Sequence, residues 1–171
     1  MDANQRRAAV AECLTTAEQP ISATALANRF SVSRQVIVGD IALLRAGGLE
    51  ISATPRGYIL PREQDGTLYT VACAHEPEEM GRELEIMVDN GCTVVDVVVE
   101  HPVYGQLTGP LQVSSRYDVQ QFLDKVGSSE ARPLADLTGG IHLHTVRCPD
   151  EQAYRRVLEQ LGAAGILYQS V

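Results

Sequence analysis

What the chain lacks narrows its class first. Its four cysteines, Cys13, Cys73, Cys92 and Cys148, are widely scattered and form no CxxC pair, so a thiolate zinc ribbon has no support. No long apolar run is present. The most apolar stretch, Thr93 to Val99, is interrupted by Asp96 and is far too short to span a bilayer. The start, Met1-Asp2-Ala3-Asn4-Gln5-Arg6-Arg7, sets no long apolar segment behind its charges, which an export signal requires. There is no internal repeat and no low-complexity segment. With 21% charged residues and 14 glycines, collagen-like, coiled-coil and wholly disordered classes are excluded. Basic residues are the minority, 14 Lys+Arg against 22 Asp+Glu for a net charge of −8. That balance alone speaks against nucleic acid. The expectation is a soluble cytoplasmic protein with free thiols and no membrane partner.

What is present changes this picture. The chain has 171 residues, of which 44% are hydrophobic. That is enough for one large domain or two small ones with cores that need no disulfide. The charge is uneven. Residues 1–62 carry seven arginines and five acids, a net of +2, whereas residues 63–171 carry seven bases and 17 acids, a net of −10. All four histidines lie in the second part. Such a split predicts two modules with different partners.

The first part reads as three helices and a hairpin. Val10, Cys13 and Leu14 recur at helical spacing within Asn4–Ala17. Pro20 breaks that helix. Ser22 caps a short helix over Ala23–Phe30, and Ser33 caps a third running to Ala46 with Ile37, Ile41 and Leu44 inward. Gly47-Gly48 ends it. Strand residues 49–53 and 58–60 flank Thr54-Pro55-Arg56-Gly57, a type I turn signal. The order is that of a winged helix-turn-helix, predicted over 1–62. In that arrangement the start of the last helix enters the major groove. Here it offers Ser33, Arg34, Gln35 and Val38. Arginine pairs with guanine O6 and N7, glutamine with adenine N6 and N7. Arg56 at the hairpin tip suits phosphates or the minor groove, and Arg6 and Arg7 add unspecific attraction. The alternative is a protein-protein module with Asp40 and Glu50 on a solvated face. The acidic second part does not prevent DNA binding, because its field is screened within about 10 Å.

Pro61-Arg62-Glu63-Gln64-Asp65-Gly66 is the predicted linker. Beyond it strands and helices alternate: strand 69–74, helix 78–90 with Met80, Leu84, Met87 and Val88 inward, strands 93–100 and 105–113, helix 116–126, strand 140–146, helix 150–161 and a last strand 166–169. The fold class is therefore α+β, a winged helix-turn-helix followed by an α/β sandwich domain over 67–171 with a mainly antiparallel sheet.

His142-Leu143-His144 is the sharpest local feature. Residues i and i+2 of a strand share a face, so both imidazoles can meet one metal while Leu143 points to a core. His75 ends a predicted strand. Glu83 sits at the edge of its helix's apolar stripe, where a carboxylate is costly unless paired or metal-bound. It also reads as an ordinary flanking residue. Glu76, Glu78 and Glu79 read as solvated charges favouring a helix N-terminus. Val95, Val97, Val99 and His101 share one strand face. His101 suits a metal, a small anion or a core hydrogen bond, and Tyr104 suits stacking or packing. Spacing does not choose among these.

Two sets of strings carry a resemblance. Ser33-Arg34-Gln35, Asp40 to Arg45 and Arg56-Gly57-Tyr58 resemble the winged helix-turn-helix of bacterial repressors. His75, the run Val95 to Gly105 with His-Pro-Val-Tyr-Gly, and Gly139-Gly140-Ile141-His142-Leu143-His144-Thr145 resemble the three-histidine domain of nicotinic-acid-responsive repressors of NAD biosynthesis. The likeness covers residues 5–170.

It implies one divalent transition metal per chain (Ni, Zn, Fe or Co) held by His75, Glu83, His142 and His144. It implies an effector role for His101, with Tyr104 available for stacking. It further implies a homodimer, operator DNA as partner, and nicotinic acid or a related pyridine carboxylate as co-repressor of NAD synthesis or niacin uptake genes. The family pattern has an acid after His-Pro-Val-Tyr-Gly, where this chain has Gln106. The rival readings are a metalloregulator that senses the metal itself and a metal-dependent enzyme acting on a small pyridine compound. No separate general base or nucleophile supports the enzyme.

Overall fold

The computed structural model describes residues 1–62 and 64–169. Glu63, within the predicted linker, and the last two residues of the predicted second domain lie outside the described residues. The chain forms two compact units, Met1–Glu63 and Gln64–Val171.

The first unit has α1 (Ala3–Thr16), α2 (Ala23–Phe30), α3 (Arg34–Ala46), β1 (Ser52–Thr54) and β2 (Gly57–Ile59). Side chains fix where its helices begin. Asp2 accepts from the Asn4 and Gln5 N–H groups, Ser22 from Ala25 and Ser33 from Val36, each satisfying donors that a helix start leaves unpaired. Val10, Leu14, Leu26, Ile37 and Ile41 form the buried core.

Two features correct the sequence reading. Asp40 is not on a solvated face but only 3% exposed. The Arg6 guanidinium reaches both of its oxygens, at 2.6 and 3.3 Å, with Arg7 at 3.6 Å from Oδ1. Burying the acid demands such partners, so these arginines tie α1 to α3. The hairpin also gains a third stretch, because Ile21 and Tyr58 exchange both backbone hydrogen bonds at 2.9 Å. Gly57 permits this approach. Its φ is +137°, and an added Cβ would stand 2.4 Å from the Ile21 carbonyl oxygen.

The second unit contains β3 (Thr67–Ala74), α4 (Met80–Asp89), β4 (Thr93–His101), β5 (Gly105–Val113), α5 (Arg116–Gly127), β6 (Ile141–Cys148) and α6 (Glu151–Ala163). A short 3-10 turn, Pro77–Glu79, leads into α4, and a second, Leu134–Thr138, precedes β6. Four strands make one antiparallel sheet in the order β3-β6-β4-β5. One face packs Val71, Val94, Leu111, Val113 and Val146 against Leu84, Met87, Val119, Val157 and Leu161 of the helices. This α+β architecture agrees with the sequence expectation. Among the described residues no helix is long and apolar enough to cross a membrane.

Two expectations change. The predicted last strand, 166–169, is a single bridge from Leu167 to Cys73 beside edge strand β3. The Ala74 N–H bond to the Ile166 carbonyl and the Tyr168 N–H bond to the Ala72 carbonyl hold it there, and the Ile166 and Leu167 N–H groups bond back to Leu161 near the end of α6. Nor does Val95 share the face of Val97 and Val99. A bulge shifts the register between Val94 and Asp96, so Val94 opposes buried Val146 and Val97 opposes His144. One extra residue is enough to exchange the faces.

Replacing Gly57 by alanine forces a strained φ and a clash with backbone. Equilibrium denaturation should show a loss of about 2–4 kcal/mol, and a change below about 0.5 kcal/mol would mean that the hairpin relaxes away.

Candidate metal centre and DNA-reading helix

The buried centre of the second unit is a carboxylate. Glu83 lies on the inner face of α4 at 1% exposure, deeper than the edge position read from its helical spacing. Three imidazoles surround it. Nε2 of His75 is 2.8 Å from Oε2, Nε2 of His142 is 2.9 Å from Oε1, and Nε2 of His144 is 3.3 Å from Oε2. All four side chains are nearly sealed from solvent. The strand spacing explains the pair on β6, and the antiparallel register sets Cys73 against His142 and Val71 against His144.

The opposite ring nitrogens are equally committed. Nδ1 of His75 meets the Glu76 carbonyl at 2.8 Å, Nδ1 of His142 meets Gly140 at 2.9 Å, and Nδ1 of His144 meets Asp96 at 2.7 Å. Each ring therefore stands between two oxygens. A neutral imidazole has one N–H and one lone pair, so in either tautomer a lone pair would face an oxygen. Only an imidazolium, or a cation accepting the Nε2 lone pair, satisfies both sides. Three imidazoliums around one carboxylate would bury a net charge of about +2, which is costly. His144 shows the strain most plainly: its buried Nε2 lacks hydrogen-bond geometry to any partner.

A divalent ion fits this donor set. It would let all three Nδ1–H groups donate to their carbonyls while the Nε2 lone pairs and the carboxylate converge, the usual outer support of histidine ligands. His75, Glu83, His142 and His144 would hold it.

The backbone has special features at each support. The Asp96 carbonyl reaches His144 because of the bulge, and the Asp96 carboxylate accepts the Thr145 N–H at 3.1 Å. Gly140 has φ +96°, and a Cβ there would lie 2.5 Å from the His75 carbonyl oxygen. Neither support was foreseen from sequence. Cys73 was missed as well. Its sulfur, a Glu83 oxygen and a His142 nitrogen lie within 4.8 Å of one another. Cys73-Ala74-His75 repeats the i, i+2 spacing of the histidine pair, which was the available signal.

The other sequence candidates lie outside this cluster. His101 shares the sheet face of Val97 and Val99, one turn of the alternation beyond them. Its Nδ1 accepts the N–H groups of Val103 and Tyr104 at 3.1 and 3.3 Å, so the neutral ring carries its proton on Nε2. Tyr104 is 73% exposed at the hairpin tip, with its ring 5.0 Å from that of His101. Gln106 donates to Glu100 across the exposed hairpin at 3.4 Å. An acid there would oppose a like charge.

On α3, Arg34 and Gln35 are exposed and Val38 is partly buried, while Ser33 is spent as the cap. Val36 and Leu43 are also exposed there. Arg56 hydrogen-bonds Gln19 at 3.1 Å, and Arg6 and Arg7 belong to Asp40.

Burial alone would raise the pKa of Glu83, but the charge of nearby His144 and the hydrogen bonds from His142 and His75 hold it well below the usual carboxylate range. Burial would lower His75 and His144, but Glu83 raises both above the ordinary imidazole value. Raised imidazoles stabilise the fold fully below the unfolded value of about 6.5, and lose that contribution as pH rises through their folded values. Glu83, being lowered, stabilises above about 4.3 and loses its contribution on acidification. Metal-free protein should therefore melt at falling temperature as pH climbs above about 6.5. Divalent metal should offset that fall, because ligation needs the neutral rings. Thermal melts across pH with and without chelator check this. A flat metal-free profile would contradict the charge pattern.

Comparison with known proteins agrees with both units. A model of the 3H domain matches residues 69–170, and a model of an HTH domain matches residues 6–59. The chain is 44% identical over 165 residues to the probable transcription repressor NiaR of Thermotoga maritima, covering 96% of this chain and 94% of that protein. It is 42% identical over 158 residues to the transcription repressor NadR of Bacillus subtilis, covering 90% and 88%. Kinship of this extent sets the chain among regulators rather than enzymes. It belongs to the family of transcription repressors that join an N-terminal helix-turn-helix domain to a 3H domain.

Proposed function

We propose that the protein is a metal-containing repressor of NAD biosynthesis or niacin uptake genes, with nicotinic acid or a related pyridine carboxylate as co-repressor. The observation that carries this reading is the convergence of three Nε2 atoms on buried Glu83 with every Nδ1 held by a carbonyl. Such an arrangement supports one resident divalent ion, held by His75, Glu83, His142 and His144. The ion would supply a Lewis-acidic point for a carboxylate oxygen or a pyridine nitrogen. His101 stands on the same sheet face with Nε2–H as donor, which suits the carboxylate of an anionic effector. Tyr104 then acts on His101, by packing its ring, rather than on the effector from inside the cluster.

Operator DNA is read from α3. Arg34 and Gln35 are the base-reading residues, Val38 adds apolar contact, Ser33 orients the helix start, and Arg56 approaches the backbone beside the groove. A homodimer with two such helices suits a palindromic operator. Nicotinate tightens DNA binding only to the degree that it prefers the DNA-competent form of the dimer. The rival in which the metal itself is the signal differs in one measurement. With metal fixed and saturating, nicotinate should raise operator affinity, and an effect of metal titration alone would favour the rival.

Two substitution sets follow. His142→Ala with His144→Ala should abolish bound metal by elemental analysis and remove the nicotinate effect on operator binding. Gly140→Ala should push His75 aside and lower metal affinity about 10–100-fold, as loss of an outer support does. For DNA, Arg34→Ala should cost about 1–3 kcal/mol on the operator and far less on unrelated sequence. Equal loss on both would make Arg34 a phosphate contact. A thermal-shift titration should show nicotinate stabilising the metal-loaded protein by about 2.7 kcal/mol at a hundredfold excess over its dissociation constant. No shift would overturn the effector assignment.

A further inference from the structure

Neither DNA reading nor the metal centre uses Cys92 and Cys148. Cys92 follows α4 through Asn90-Gly91 and stands directly before β4, and Cys148 closes β6. Both are buried, at 1% and 0% exposure. The Cys92 thiol donates to the Cys148 sulfur with an Sγ–Sγ distance of 2.9 Å. The ladder explains why they meet. Thr93 opposes Arg147 in the antiparallel pairing of β4 with β6, so one further step sets Cys92 opposite Cys148. Directly opposed residues of antiparallel strands have Cα atoms about 4.5–5.5 Å apart, inside the roughly 4.4–6.8 Å window that a disulfide spans. The turn before Cys92 is held by the Cys92 N–H bond to the Met87 carbonyl at 3.2 Å.

We propose that Cys92 and Cys148 are a disulfide-forming pair, oxidised by low-molecular-weight disulfides of the glutathione class. One protein thiolate attacks a sulfur of the oxidised glutathione. The glutathione S–S bond breaks, and one glutathione thiolate leaves and takes up a proton. The second protein thiolate then attacks the protein sulfur of the mixed disulfide. The Cys92–Cys148 bond forms and the second glutathione leaves. Two protein thiols are oxidised by two electrons in all, and one glutathione disulfide becomes two thiols. Burial pushes both cysteines up from the ordinary thiol range, so exchange is slow in the closed fold and fastest while the chain is opening or refolding.

The bond would join positions 56 residues apart in sequence. It would fasten the turn leaving α4, the helix of Glu83, to the end of the strand that carries His142 and His144. The inference stands whether or not metal or nicotinate binds.

The test uses the full chain, unfolded in guanidinium and refolded without metal in glutathione buffers of rising oxidising strength. Samples are acid-quenched, alkylated under denaturing conditions and weighed. Oxidising buffers should leave two of the four cysteines open to alkylation, with no glutathione mass added, and peptide mapping should join Cys92 to Cys148. The double variant Cys13→Ser with Cys73→Ser should still form the bond, and Cys92→Ser and Cys148→Ser should each prevent it. Four alkylated thiols at every buffer ratio, glutathione adducts alone, or a bond mapped to another pair would overturn the proposal.

Discussion

The second unit is organised around the placement of one buried negative charge. Glu83 enters the core from α4 among Leu84, Met87 and Val88, and its carboxylate is out of reach of water. An isolated carboxylate there would have to become neutral or be compensated. Compensation comes from three rings on two strand ends, and each ring is aimed by a carbonyl behind it. Other features serve this one demand. The β4 bulge delivers the Asp96 carbonyl to His144, Gly140 lets the His75 backbone come close, and the β6 alternation sends two imidazoles the same way.

In the first unit a second buried acid has a different task. Asp40 sits on α3 and is matched by arginines of α1. This pair fixes the helix that carries Arg34 and Gln35 against the helix behind it. It also changes the meaning of the local charge. The +2 balance of residues 1–62 looks like a phosphate-seeking surface, but Arg6 answers Asp40 and Arg45 is bound to the Ile51 carbonyl at 2.9 Å. Two of the seven arginines thus face a buried acid on α3 rather than standing free along α1.

Much of this was legible from residues because it was local. Ser22 and Ser33 announced two helix starts, and the HxH spacing announced a shared face. The apolar stripe of Leu84, Met87 and Val88 announced the inner side of α4. The sequence reading failed where distant contacts decide. Helical spacing put Glu83 at a stripe edge, but only the packing of β3 and β6 against α4 makes that edge interior. The bulge that moves Val95 off the valine face has no signal in a run of valines. Residues 166–169 have strand composition but lie beside an edge strand with one bridge, so tertiary context outweighs propensity. Cys73 belongs to no CxxC pair, and its one local signal is the histidine two residues after it.

The outer supports also bear on what kind of regulator this architecture suits. In a metal switch, metal arrival orders ligands that were apart, and the ordering is the signal. Here the three Nδ1 atoms are engaged by Glu76, Gly140 and Asp96, all within one densely packed unit, so the ligand positions follow from the fold. A site prepared in this way spends little binding energy on ordering and shifts conformation little when it fills. It is better suited to holding an ion permanently than to reporting its concentration. On the proposed reading, a second molecule meeting the filled site would retain the freedom to favour one form of the protein over another. Under the proposed function, the ion would then belong to the structure and the effector would carry the message.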